Sequence, residues 1–159
     1  MSIVNTIQVK SIREIQDEIV AEFEVYEDWM DKYNYLIELS RDLPVIDPKL
    51  KLKENLINGC QSKVWLNATY QNGIIHFTAD SDAIITKGIV SLLIRVLSGR
   101  TPEEIIQSDL FFIDAIGLRQ NLSPTRSNGL LSMIKQMKLY ALAYQAKYKK
   151  EGQKSNNFE

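Results

Sequence analysis

The dipeptide Asn72-Gly73 constrains the fold of this chain more than any other feature of its sequence. It lies between two runs with the composition of strands, Val64 to Gln71 and Ile74 to Ser81. A two-residue type I′ turn needs positive φ at both central positions, and asparagine followed by glycine supplies this most readily. The sequence therefore predicts an antiparallel β-hairpin over Val64–Ser81.

The predicted turn also sets the register of the two strands. If Gln71 faces Ile74, apolar pairs share one face of the hairpin, and these are Tyr70/Ile75, Ala68/Phe77 and Leu66/Ala79. The opposite face carries the polar pairs Asn67/Thr78 and Thr69/His76. This segregation is typical of a sheet with one face on the core and the other toward solvent.

Two helical patterns precede the hairpin. Apolar residues recur at spacings of three and four from Ser11 through Ile12, Ile15, Ile19 and Phe23, and again through Tyr26, Trp29, Met30, Tyr33, Leu36 and Ile37. Because Pro44 and Pro48 interrupt the second pattern, its helix is expected to end near Arg41 or Asp42. We expect the two helices to pack as a pair.

Three further helices are predicted after the hairpin. Ser81 or Asp82 is expected to cap a helix that runs through Ile84, Ile85, Ile89, Leu92, Leu93 and Val96 to Ser98-Gly99. Thr101-Pro102-Glu103-Glu104 combines a capping box with proline at the first helical position and opens a short helix. Ser123-Pro124 opens a long helix through Leu130, Met133, Met137, Leu139 or Tyr140, and Tyr144, with fraying expected from Lys147.

Helices that flank one hairpin, without alternating βαβ units, favour an α+β fold with a small antiparallel sheet packed against several helices. A chain of 159 residues fits a single domain, 1–159, with a core over about 11–147 and a frayed tail over 148–159. A net charge of −1 gives no attraction to nucleic acid. With no apolar run of membrane-spanning length and no secretory signal pattern in Met1–Lys10, the expected compartment is the cytosol.

Only one cysteine, Cys60, and one histidine, His76, are present, so neither an internal disulfide nor a Cys/His metal site is expected. Cys60 follows Gly59 in a predicted loop, where a thiolate would be accessible for chemistry. By composition alone, a lone cysteine is more often a small core residue. A Cys/His hydrolase is disfavoured because the hairpin register places His76 near the turn, as a solvated partner of Thr69.

Three segments resemble the SufE family, which includes the related CsdE proteins. Gly59-Cys60-Gln61-Ser62-Lys63-Val64-Trp65 resembles the family's GCQS-x-VW segment. Residues 81–88, SDAIITKG, resemble its SDA-x-I-x-KG, and residues 122–130, LSPTRSNGL, resemble its third motif around Arg126. The similarity covers about Tyr26 to Tyr144, although Lys63 stands where the family often has glutamine.

The resemblance implies that Cys60 accepts a persulfide sulfur from a SufS-type cysteine desulfurase, stimulates that enzyme, and passes the sulfur to a SufBCD-like iron–sulfur scaffold. It implies no cofactor or metal in this chain, since the pyridoxal phosphate belongs to the desulfurase, and it leaves a homodimer open. Residues expected to support Cys60 or to bind the partner are Gly59, Gln61, Ser62, Trp65, Asp82, Lys87 and Arg126.

Each supporting residue also has an ordinary structural interpretation. Arg126 and Lys87 could be solvated charges, Asp82 could favour a helix start through the dipole, and Trp65 could pack as core. One alternative function is a binding module that regulates a partner, with Cys60 structural. A stand-alone cysteine enzyme is the third hypothesis, and it predicts a dependence on His76.

Overall fold

The computed structural model describes residues 9–44 and 46–156, so the predictions for residues 1–8 and 157–159 lie outside the described residues. The elements follow in the order α1 (Ile12–Glu24), α2 (Trp29–Leu39), β1 (Val64–Gln71), β2 (Ile74–Ser81), α3 (Ile84–Leu97), α4 (Pro102–Gln107), α5 (Phe112–Ala115), α6 (Leu118–Asn121) and α7 (Pro124–Asn156). The predicted α+β class is confirmed. No helix within the described ranges is both long enough and apolar enough to cross a membrane.

The hairpin has the predicted bounds and the predicted register. Tyr70 pairs with Ile75, Ala68 with Phe77, and Leu66 with Ala79, while Asn72 and Gly73 have φ angles of 54° and 80°. On the apolar face, Leu66, Ile75, Phe77 and Ala79 are buried, and Ala68 and Tyr70 are half-buried. His76 is exposed on the other face, as predicted.

Helix α3 is the central element of the core. It packs on β2 and also against both α1 and α2. Ten of its positions are buried, and those are Ile85, Thr86, Gly88, Ile89, Val90, Leu92, Leu93, Ile94, Val96 and Leu97. The two N-terminal helices contact each other through Tyr35, whose ring lies edge-on to Phe23 at 5.0 Å, and both pack against α3, while α1 also packs against α5.

The start of α3 differs from the prediction. Its N-cap position is Ala83, which makes no side-chain capping bond. β2 extends to Ser81, whose hydroxyl accepts from the N–H of Ala83 at 3.2 Å, and Asp82 bonds back to the hairpin instead of to the helix. Ile84, predicted to be part of the buried stripe, is 54% exposed, whereas its neighbours Ile85 and Thr86 in the same turn are buried.

Helices α4 and α7 begin as predicted. Thr101 and Glu104 form the reciprocal capping box of α4, and the hydroxyl of Ser123 accepts from the N–H of Arg126 at 3.2 Å at the start of α7. Helix α7 buries Leu130, Met133 and Met137 and continues to Asn156, beyond Lys147 where fraying was predicted to begin. The short helices α5 and α6, each of four residues, were not predicted.

Candidate functional site

Cys60 lies in a short loop that is closed at its base by backbone bonds. The N–H of Ile57 donates to the carbonyl of Val64 at 2.9 Å. Asp82 closes the loop a second time, because its carboxylate accepts from the N–H of Lys63 at 3.0 Å and its own N–H donates to the carbonyl of Lys63 at 3.2 Å. The end of β2 therefore holds the loop that carries the cysteine.

The loop packs directly on helix α7. Gly59 has a φ of 93°, which favours glycine, and a Cβ built there would lie 2.6 Å from the hydroxyl oxygen of Ser132. A side chain at Gly59 would therefore be strained by the positive φ and would displace the Ser132 hydroxyl. The loop also lies against α7 at Gly129. A Cβ added to Gly129 would lie 3.5 Å from the sulfur of Cys60.

The thiol of Cys60 is half-buried and hydrogen-bonded. Its sulfur lies 3.6 Å from the backbone carbonyl oxygen of Gly129, to which the S–H donates. Burial raises the pKa of Cys60 above its ordinary value, since desolvation disfavours the thiolate. The resting thiol is therefore protonated and weakly nucleophilic, and the thiolate needs either a change of loop position or a nearby cation.

A cavity of about 80 Å³ adjoins the thiol. Its lining comes from the cysteine loop, α3 and α7, and consists of Cys60, Gln61, Ser62, Thr86, Ile89, Thr125, Arg126, Gly129 and Met133. One water molecule occupies about 30 Å³ of liquid. The cavity therefore has room for one additional sulfur atom attached to Cys60.

Among the predicted supporting residues, Gln61, Ser62 and Arg126 line the cavity with Cys60. The guanidinium of Arg126 is exposed and donates through Nη1 to the hydroxyl of Tyr33 at 2.6 Å, so it is paired with α2 and not with the thiol. Gly59 shapes the loop, and Asp82 closes the base of the loop without reaching the cavity.

Trp65 and Lys87 lie outside the cavity. Lys87 forms an ion pair with Asp80 at 3.2 Å, and Lys51 pairs with the same carboxylate at 2.5 Å while lying 5.2 Å from the centre of the Trp65 ring. Burial acts to raise the pKa of Asp80, but hydrogen bonds from Lys51 and Lys87 outweigh it and lower that pKa. Trp65 and Lys87 thus belong to a charged cluster on the polar face of the hairpin.

Several cavity residues were not selected from the sequence. Gly129 was available as a signal, because it lies one helical turn after Arg126 in the third motif. Thr86, Ile89 and Met133 gave no signal, since each fits an ordinary helix face. Tyr33 gave none either, because the hydrogen bond from Arg126 spans 93 positions of the chain.

His76 does not form a site with Cys60. It pairs in register with Thr69, near the hairpin turn, whereas the cysteine loop precedes the other end of β1. Within the described part of the chain, no group of three or more His, Cys, Asp or Glu side chains is arranged to hold a metal ion. The arrangement fits a lone thiol beside a small cavity.

Replacing Asp82 with alanine should loosen the cysteine loop. The substitution removes the side-chain acceptor for the Lys63 N–H, so we expect a loss of about 1 kcal/mol in unfolding free energy and several-fold faster alkylation of native Cys60 by iodoacetamide. The matched control is Asp114→Ala, which removes an exposed ion pair with Arg119 at 3.4 Å. Equal alkylation rates in the two variants would show that the Asp82 bond does not hold the loop closed.

Comparison with protein families relates most of this chain to one known group. The SufE family model, described as an Fe-S metabolism associated domain, matches residues 17–141. An uncharacterized SufE-like protein of Rhizobium etli is 41% identical over 127 residues, which is 77% of this chain and 86% of that protein. An uncharacterized SufE-like protein of Synechocystis is 36% identical over 127 residues, or 80% of each chain.

Two further proteins match this chain, one by sequence over part of a longer protein and one by fold. SufE-like protein 1, chloroplastic/mitochondrial, of Arabidopsis thaliana is 36% identical over 143 residues, and the aligned part is 89% of this chain but 38% of that longer protein. The solution structure of a hypothetical protein from Thermus thermophilus superposes with a TM-score of 0.69 over 83% of this chain and 96% of that one. At 19% sequence identity, the second similarity supports the fold alone.

Proposed function

The chain belongs to the SufE family, and from that premise we propose that it is a sulfur carrier in iron–sulfur metabolism, with Cys60 as the acceptor. The observation that carries this proposal is the position of the thiol, on a short loop beside a cavity of about 80 Å³. Transpersulfidation requires one thiolate, access for the donor and no metal. The described residues supply one thiol and no other soft nucleophile.

In the proposed step, the Cys60 thiolate attacks the terminal sulfur of a persulfide held on a cysteine desulfurase. The sulfur–sulfur bond of the donor breaks, a new one forms on Cys60, and the donor cysteine leaves as a thiolate. The proton on the transferred sulfur remains with it. Because one sulfur–sulfur bond is exchanged for another, no external oxidant or reductant is required. The product is a Cys60 persulfide, which is then passed to the scaffold on which clusters are built.

The resting geometry suits a carrier that is protected between deliveries. Exposed thiols and persulfides are open to oxidation. A protonated, half-buried Cys60 bonded to the Gly129 carbonyl is poorly reactive toward small oxidants. We infer that docking of the desulfurase displaces the loop and exposes the sulfur, which limits transfer to the intended partner.

Other proteins would supply the remaining chemistry. Pyridoxal phosphate would be bound by a SufS-type desulfurase, and a SufBCD-like scaffold would receive the sulfur. We place the reaction in the cytosol, where a reducing environment keeps a lone thiol free. The competing hypothesis, a regulatory binding module, gives Cys60 only a packing role.

Intact mass spectrometry tests the acceptor role directly. After incubation with a SufS-type desulfurase, pyridoxal phosphate and cysteine, we expect a mass gain of about 32 units per transferred sulfur, reversed by dithiothreitol. Peptide mapping should place the gain on the Cys60 peptide, and omission of the desulfurase should remove it. An unmodified chain whose Cys60 is still open to alkylation would support the binding-module hypothesis instead.

A further inference from the structure

A residue of helix α2 contacts the site from outside, since α2 contributes nothing to the lining of the cavity. The hydroxyl of Tyr33 accepts a hydrogen bond from Nη1 of Arg126 at 2.6 Å. Arg126 in turn lines the cavity beside Cys60. Through this one bond, a tyrosine on a helix outside the cavity holds the positive charge that lines the cavity beside Cys60.

The position of the Arg126 guanidinium matters because of the charges that surround the thiol. Among the described residues that line it, Arg126 is the charged one; α3 contributes Thr86 and Ile89, and the loop contributes Gln61 and Ser62. The thiol itself bonds to a neutral carbonyl. A guanidinium that approached Cys60 would favour the thiolate and the persulfide anion, because opposite charge within a few ångströms stabilises the ionised form.

The phenol of Tyr33 is held in place by its own packing. Its ring is half-buried and lies edge-on to the indole of Trp29, with centroids 5.6 Å apart and an interplanar angle of 81°. Both rings pack against the main hydrophobic core. Because packing restricts the ring, its hydroxyl is a fixed anchor for the exposed side chain of Arg126.

We propose that Tyr33 is a positioning residue that holds the Arg126 guanidinium away from the resting thiol and releases it to the sulfur when the loop is displaced. The inference rests on the proposed function of Cys60 as an acceptor. In the resting state, the arginine is bonded to the phenol and Cys60 stays protonated. When sulfur arrives, the same guanidinium pairs with the anionic thiolate or persulfide, and no new residue has to enter the site.

The pH dependence of Cys60 alkylation in the isolated chain tests this proposal without any desulfurase. In Tyr33→Phe, the arginine loses its anchor, so we expect the midpoint of the alkylation profile to move to lower pH and the rate at pH 7 to rise about five- to tenfold. In the double variant Tyr33→Phe/Arg126→Gln, the shift should disappear. Circular dichroism melts would show that each variant is folded.

A matched tyrosine variant separates this effect from the loss of any phenol. Tyr144→Phe removes a hydrogen bond to the carbonyl of Ala68 at 3.2 Å, in a residue that does not line the cavity, and should leave the profile unchanged. A Tyr33→Phe profile that superimposes on the parent, or a shift that persists without Arg126, would overturn the proposal. Either result would leave the persulfide assay on Cys60 standing as an independent measurement.

Discussion

Replacing Cys60 with serine should abolish sulfur acceptance and with it the stimulation of a partner desulfurase. Serine keeps the size of the side chain and a donor for the Gly129 carbonyl, but its hydroxyl is not a thiolate and cannot carry sulfane sulfur. Desulfurase turnover is measured as alanine or sulfide release with cysteine as substrate. We expect the variant to give the rate of the desulfurase alone.

Stability measurements must accompany that assay. Because Cys60 is only half-buried and its replacement is close in shape, the expected change in unfolding free energy is within about 1 kcal/mol. His76→Ala is the functional control, since His76 is exposed and lies at the far end of the hairpin. Full stimulation by folded Cys60→Ser would refute the carrier mechanism, whereas a loss of activity in His76→Ala would favour a Cys/His enzyme.

The largest stability effect is expected at Gly88, where the backbone of α3 lies close to the backbone of α2. A Cβ built on Gly88 would lie 2.2 Å from the carbonyl oxygen of Leu36 and 2.9 Å from its carbonyl carbon. Both atoms are backbone, so relief requires one helix to move within a packed core. We expect Gly88→Ala to lower the unfolding free energy by about 2–3 kcal/mol, after a gain of about 1 kcal/mol in helix propensity.

Urea denaturation measures this effect, and Gly129→Ala is the matched control. Gly129 is also helical, but the nearest atom to an added Cβ is the sulfur of Cys60 at 3.5 Å, an ordinary contact. Its substitution should leave the midpoint unchanged or raise it slightly through helix propensity. If Gly88→Ala were as stable as Gly129→Ala, α2 could shift at little cost, and the close approach would not be a requirement of the fold.

The charged cluster around Asp80 shows how a sequence motif and a functional site can differ. Lys87 and Trp65 lie in segments that resemble the family, yet neither lines the cavity beside Cys60. Through Asp80 and Lys51, they connect the hairpin with the segment that leads into the cysteine loop. Motif membership alone could not separate residues that line the site from residues that support its surroundings.

The hairpin, its register and the starts of α1, α4 and α7 were predictable from the sequence alone. Asn72-Gly73 specifies the turn, alternation specifies the buried face, and the Thr101/Glu104 box acts within three residues. These are local rules of stereochemistry and hydrogen bonding, so they act on neighbouring residues whatever the rest of the chain does. The position of Cys60 in a loop before the first strand follows from the same rules.

Tertiary structure alone decided the state of the acceptor site. The bond from Cys60 to the Gly129 carbonyl spans 69 positions, and the bond from Arg126 to Tyr33 spans 93. Neither contact, nor the burial that raises the pKa of the thiol, is encoded in any short window. Each depends on how α2, α3 and α7 pack around the hairpin, because burial and charge proximity are properties of the assembled core and not of local chain conformation.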